Sequence, residues 1–253
     1  MSGTWWRRGD RRGLIDRRAV IDRRGLAAAH TVTVDGIDPQ SPLTVGNGEL
    51  CFTVDATGLQ TWPELYPVAD PADGPAGTLL STLSSWGWHS LPGGEGYDIA
   101  HCARPYATRR GPVPYVDLSR ELGPGTPGAT LITPEEEWLR GNPHRLDLLR
   151  MGFVVPGASG WRAADPGEGR GFVQELDVQT GVIGSAFRLS EAPVTVASCC
   201  YPVEDVIAVR VASPLLAAGR LAVRLAFPYG SASWAGAADW TRPDAHETAV
   251  RGG

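Results

Sequence analysis

Over residues 172–227 apolar and polar side chains alternate in short runs separated by turn-forming residues, and a chain patterned this way folds into strands rather than helices. FVQELDV at 172–178 runs into Gln179, Thr180 and Gly181. A second run covers 182–189, the turn 190–193 follows, and a third run covers 194–200. Short runs joined by short turns make an antiparallel meander. Two more runs lie at 206–213 and 220–227. In the last, Leu221, Val223, Leu225 and Phe227 share one face and Arg220 and Arg224 the other, so a core face and a wet face are expected. Burying such one-sided sheets calls for sheet packed on sheet.

The alternation extends upstream. HTVTVDG at 30–36 sends Val32 and Val34 to one side, and ELCFTV at 49–54 does the same with Leu50, Phe52 and Val54 after a VGNG turn at 45–48. The expected fold class is therefore all-β, a large antiparallel β-sandwich with a short helical insertion near 134–150. That insertion is announced by Thr133, Pro134 and Glu136, which have capping-box spacing with proline at the first helical position. Glu135, Glu136 and Glu137 then read as partners of the helix dipole, Gly141, Asn142 and Pro143 stop the helix, and 144–150 adds one more turn. Residues 157–171, rich in Gly, Pro and charge, read as a mobile loop.

Composition narrows the function classes. The net charge of −5, with all 23 basic residues arginine, argues against nucleic acid as a partner. No stretch is long and apolar enough for a membrane span, no signal peptide is recognisable, and a cytoplasmic location is the default. Cys51, Cys102, Cys199 and Cys200 form neither a zinc pattern nor a disulfide framework, so reduced thiols are expected. The five histidines show no metal-ligand spacing, and neither a nucleophile elbow nor a phosphate-binding or dinucleotide loop is present. No catalytic residue, metal or cofactor is called. Residues 1–29 form an Arg-rich arm with Asp-Arg-Arg recurring at 10, 16 and 22, read as a solvated arm or a short helix, with phosphate or sugar-phosphate binding by Arg17, Arg18, Arg23 and Arg24 as the alternative, and 30–253 form the sandwich.

The chemical signal is tryptophan. Nine Trp outnumber both six Tyr and five Phe, and many stand beside Gly, Pro or polar residues: Trp62, Trp86, Trp88, Trp138, Trp161, Trp234 and Trp240. An indole offers a flat apolar face for the C–H surface of a pyranose and an N–H for a hydroxyl, which suits a carbohydrate ligand. Loop tryptophans that plug a sandwich onto its core are the alternative.

Four stretches, IDPQSPLTVGNGELCF at 37–52, TGLQTW at 57–62, SSWGWHS at 84–90 and WLRGNPHR at 138–145, together resemble the N-terminal region of bacterial glycoside hydrolases with a six-hairpin (α/α)6 catalytic barrel, similar to the maltose and kojibiose phosphorylases of family 65. LDVQTG at 176–181 and SPLLAAGRL at 213–221 agree with it. The resemblance implies a non-catalytic β-sandwich in carbohydrate metabolism, with a carbohydrate and an (α/α)6 catalytic domain as partners. It implies Trp86, Trp88 and His89 near substrate or at the domain seam, then Trp62, Arg140, Asn142 and His144. It would also place a histidine before Pro202, where this chain has Tyr201. Residues 246–253 read as a strand followed by an abrupt stop, so a truncated product, inactive alone, is expected. A free-standing carbohydrate-binding sandwich and a purely structural or interface domain are the alternatives.

Overall fold

The structure is a computed structural model that describes residues 21–66, 78–90, 92–116, 133–142, 144–231, 238–242 and 245–249. In chain order its strands are β1 (Val32–Asp35), β2 (Leu43–Gly46), β3 (Leu50–Val54), β4 (Thr82–Ser84), β5 (Trp88–His89), β6 (Ala103–Thr108), β7 (Gly111–Val116) and β8 (His144–Arg145). There follow β9 (Arg150–Gly157), β10 (Gly160–Ala163), β11 (Gly169–Asp177), β12 (Val182–Leu189), β13 (Ala192–Cys200), β14 (Ile207–Ala212) and β15 (Ala222–Ala226). Among the described residues the α-helices are α1 (Arg23–Ala28), α2 (Pro134–Gly141) and α3 (Pro214–Ala217). The fold is all-β and every strand pairing is antiparallel.

The meander read from residues 172–213 is the five-stranded sheet β1-β11-β12-β13-β14. Its inner face carries Ile183, Phe187, Leu189, Val194 and Val196, all buried, against Leu43, Val45, Phe52 and Val54 of β2 and β3. Phe153 of β9 and Phe172 of β11 close on Phe187, with ring centroids 6.0 and 5.2 Å away, and Trp62 meets Phe172 edge-on at 5.5 Å. Each such side chain contributes about 1.5–3 kcal/mol by leaving water.

A polar loop lies inside this core. Asp55 accepts hydrogen bonds from the amides of Thr57 and Trp62, each at 2.8 Å, and from the Thr57 hydroxyl. Gln174 Nε2 donates to Asp55 O at 2.8 Å, and Ser198 Oγ donates to Gly58 O at 2.8 Å, so the buried polar residues of β11 and β13 serve the loop's carbonyls. Gly58 has φ +79°, and a Cβ there would lie 2.7 Å from Ser185 Oγ, so only glycine fits. Burial pushes the Asp55 carboxyl up to about 6 against the pull of its hydrogen bonds from Thr57 and Trp62.

Several expectations are corrected. The helix ends at Gly141, and 144–148 run extended instead of adding a turn. The amides of Leu146 and Leu148 bond to Gly87 O and Thr82 O, each at 2.8 Å, and Asp147 Oδ1 accepts from Thr82 N, so the free edge of β4 and β5 captures this segment. Residues 157–171 are ordered by the β9–β10 hairpin and by a single 3-10 turn with its own capping box from Asp165 and Glu168. In 220–227 only Leu221 is buried; Val223, Leu225 and Phe227 are 39%, 53% and 39% exposed, because β15 is the edge of the three-stranded sheet β10-β9-β15. Residues 246–249 form no strand.

The helix start is as expected: Thr133 and Glu136 form the capping box, and Glu136 also receives Arg104 at 2.8 Å. The four cysteines are free thiols, Cys102 alone fully buried. Of the arm, residues 1–20 lie outside the described residues, and Asp22 caps α1 by accepting from Gly25 N at 2.9 Å. No helix among the described residues is long and apolar enough to cross a membrane.

Candidate functional site

The tryptophan loop sits between β4 and β5, and its backbone is determined on three sides. Ser85 N donates to Glu49 O at 2.6 Å, Gly87 N to Ser84 Oγ at 2.9 Å, and Leu146 N to Gly87 O at 2.8 Å. A Cβ on Gly87 would lie 2.9 Å from Ser84 Oγ and 3.0 Å from Leu148, so glycine between the indoles is a packing requirement.

Both indoles face outward. Trp86 is 63% exposed and Trp88 46%. Trp86 Nε1 donates to Asp205 Oδ2 at 2.6 Å. Asp205 Oδ1 in turn accepts from Asn47 Nδ2 at 3.0 Å, and the same amide nitrogen lies within hydrogen-bonding distance of Glu204 O and Tyr201 O. Asn47 Oδ1 meanwhile accepts from the amides of Glu49 and Leu50, closing the turn before β3. One asparagine thus closes its own turn and holds the 201–205 loop, whose aspartate fixes the indole. Trp88 Nε1 donates to Ser85 O, and the Arg145 guanidinium stands 5.4 Å from its ring centroid, within cation–π reach.

The remaining sequence candidates divide. His89 is half-buried and paired in register with His144 of β8, so those two positions do join the tryptophan loop. Asn142 caps α2: its side chain donates to Trp138 O at 2.9 Å, a local task. Arg140 lies in the last turn of α2. Trp138 donates to Pro92 O at 3.2 Å and meets Tyr97 edge-on, which ties the end of α2 to the chain just past the tryptophan loop. Trp62 is the correction. It is 1% exposed and donates to Ala164 O at 2.7 Å, so it is a core plug and no part of an exposed platform.

Asn47, Asp205 and Arg145 were missed as site residues. Asn47 read as a turn former, and nothing local marks Asp205 as the partner of an indole 119 positions away. Exposed Tyr201 and Val203 belong to the loop that Asn47 holds.

No protein-family model, curated protein or solved structure matches the chain. Its function therefore has to be read from this geometry.

Proposed function

We propose that this β-sandwich is a non-catalytic carbohydrate-recognition domain that presents Trp86 and Trp88 to a sugar. The observation that carries the proposal is the Trp86–Asp205 bond, which holds a largely exposed indole in one orientation. A solvent-facing aromatic ring gains nothing for the fold by being fixed, but a fixed ring binds a pyranose face without first losing rotamer freedom. The Glu49 carboxylate at the Ser85 hydroxyl, the Asp205 carboxylate at Trp86 and the Arg145 guanidinium at Trp88 put groups able to bond hydroxyls beside the indoles.

The resemblance to the N-terminal region of (α/α)6 glycoside hydrolases supplies the context: the sandwich holds or orients sugar, and a helical catalytic domain cleaves the bond. Exposed Tyr201 and Val203 also suit a seam with such a domain. Titration calorimetry with maltose, kojibiose, rhamnosides and fucosides tests the reading. Millimolar or tighter binding that is lost in Trp86→Ala is the expected result. An absence of heat in every titration, together with concentration-dependent self-association, would replace it with the seam.

A further inference from the structure

A cleft separate from the tryptophan loop lies where the segment that pairs with Trp88 enters β9. It encloses about 510 Å³, a volume suited to a small organic ligand, and Glu64, Arg150, Arg224, Phe227, Trp240 and Arg242 are among its walls. Residues 239–242 are held there by the paired backbone bonds between Tyr229 and Asp239, at 3.1 and 2.7 Å. The Arg150 guanidinium lies 4.1 Å from the Trp240 ring centroid, so one face of that indole is taken.

Two hydrogen-bond donors in this wall are unspent. Arg150 Nε and Trp240 Nε1 are both buried and neither has a hydrogen-bond partner among the described residues. Both groups donate only, so whatever satisfies them must bring acceptor atoms. Three arginines line the cleft against Glu64 and Asp239, with Asp147 behind Arg150 levelling the formal charge, so the arginines differ in their partners and not in a net excess. Arg242 is neutralised by Asp239, with its Nε and Nη2 each 3.0 Å from Asp239 Oδ2. Arg224 makes no ion pair among the described residues, which leaves Arg150 and Arg224 against Glu64 on the wall and Asp147 behind Arg150. Glu64 and Asp239 can accept from hydroxyl groups, and Phe227 offers an apolar surface.

We propose that this cleft binds an acidic sugar, its carboxylate or phosphate monoester held by Arg150 and Arg224 and its hydroxyls by Glu64 and Asp239. The sugar part of the ligand rests on the carbohydrate reading of the tryptophan loop; the acidic part rests on the cleft alone. A delocalised guanidinium is the cation best matched to either oxyanion.

Calorimetry on the full chain with glucuronate, glucose 6-phosphate and glucose tests it. At least one acid should bind tenfold or more tighter than glucose, and Arg224→Gln, on the exposed edge strand, should weaken that acid fivefold or more while the melting temperature stays put. Whichever acid binds tighter distinguishes carboxylate from phosphate. Acids binding no tighter than glucose, or with unchanged affinity in Arg224→Gln, would overturn the proposal. Excess maltose should not displace the acid, and displacement would place both ligands in one site and overturn the separate cleft. A failed tryptophan platform reads out separately, as no maltose binding in the native chain.

Discussion

Trp86 and Asp205 are joined by a 2.6 Å hydrogen bond across 119 positions of sequence, and the same carboxylate is held on its other oxygen by Asn47. This arrangement turns three exposed loops into one surface. Its consequence is an orientation, since a surface hydrogen bond adds little to stability but freezes the indole.

Removing that restraint should therefore separate binding from stability. Asp205→Ala is expected to weaken maltose binding about threefold to tenfold, the effect of restoring freedom to one aromatic side chain. Its unfolding free energy in urea should fall by no more than about 1 kcal/mol. Asn47→Ala, which also opens the turn before β3, should lower stability by about 1–2 kcal/mol in the same assay. Equal maltose affinity in native and Asp205→Ala chains would show that the indole needs no anchor.

Trp62 should behave in the opposite way. Trp62→Ala empties a core site and leaves Ala164 O without its donor, so a loss of about 3–5 kcal/mol is expected in denaturant unfolding. Sugar affinity per folded molecule should not change. A sugar defect without a stability defect would return Trp62 to the binding surface.

Two buried carboxyl groups make stability depend on pH. Burial raises Asp55 and Asp147 to about 6 from an ordinary 3.8, so the folded chain holds their protons where the unfolded chain has released them. Their stabilising contribution is complete below about pH 4 and is lost as the pH rises through about 6, by up to about 3 kcal/mol per group. Asp239 and Asp177, held low mainly by hydrogen bonds from Thr241 and Thr180, act in the other direction and lose their contribution on acidification. Urea melts between pH 4 and 7 should show stability falling toward neutrality, and Asp147→Asn, which mimics the protonated acid, should flatten that slope. A mutant slope equal to the native one would refute the assignment to Asp147.

The β12–β13 hairpin turns through two non-glycine residues in left-handed conformations, Ser190 at φ 47° and Glu191 at φ 66°. Two-residue hairpin loops of this kind favour Asn-Gly. Replacing the pair by Asn-Gly should raise the unfolding free energy by about 1 kcal/mol with an unchanged denaturant slope. The exposed ion pairs that Glu191 makes with Arg170 and Arg188 are too weak to reverse the sign. A lower midpoint would show that those pairs outweigh the backbone.

Where the sequence signal was local, it was legible. The meander over 172–213 and the Thr133–Glu136 capping box depend on residues within one turn or on strands that follow one another in the chain. The tryptophan loop was also legible as an exposed feature, because glycine and polar neighbours deny two indoles a core position. Residues 144–148 were misread for the complementary reason. Their helical pattern is weak, and the decisive partner is the open edge at Thr82 and Gly87, which no local window contains.

Alternation, turn chemistry and capping thus determined by themselves that this chain builds antiparallel sheets and where the strands of its five-stranded sheet lie to within a few residues. Which tryptophan is a plug and which faces solvent was decided only by the tertiary structure. Trp62 finds Ala164 O inside the core, Trp86 finds Asp205 at the surface, and Arg150 comes to lie over Trp240 beside a cleft. An indole carries the same apolar area and the same single donor wherever it stands. Its role follows from the acceptor and the neighbours that distant strands deliver to it.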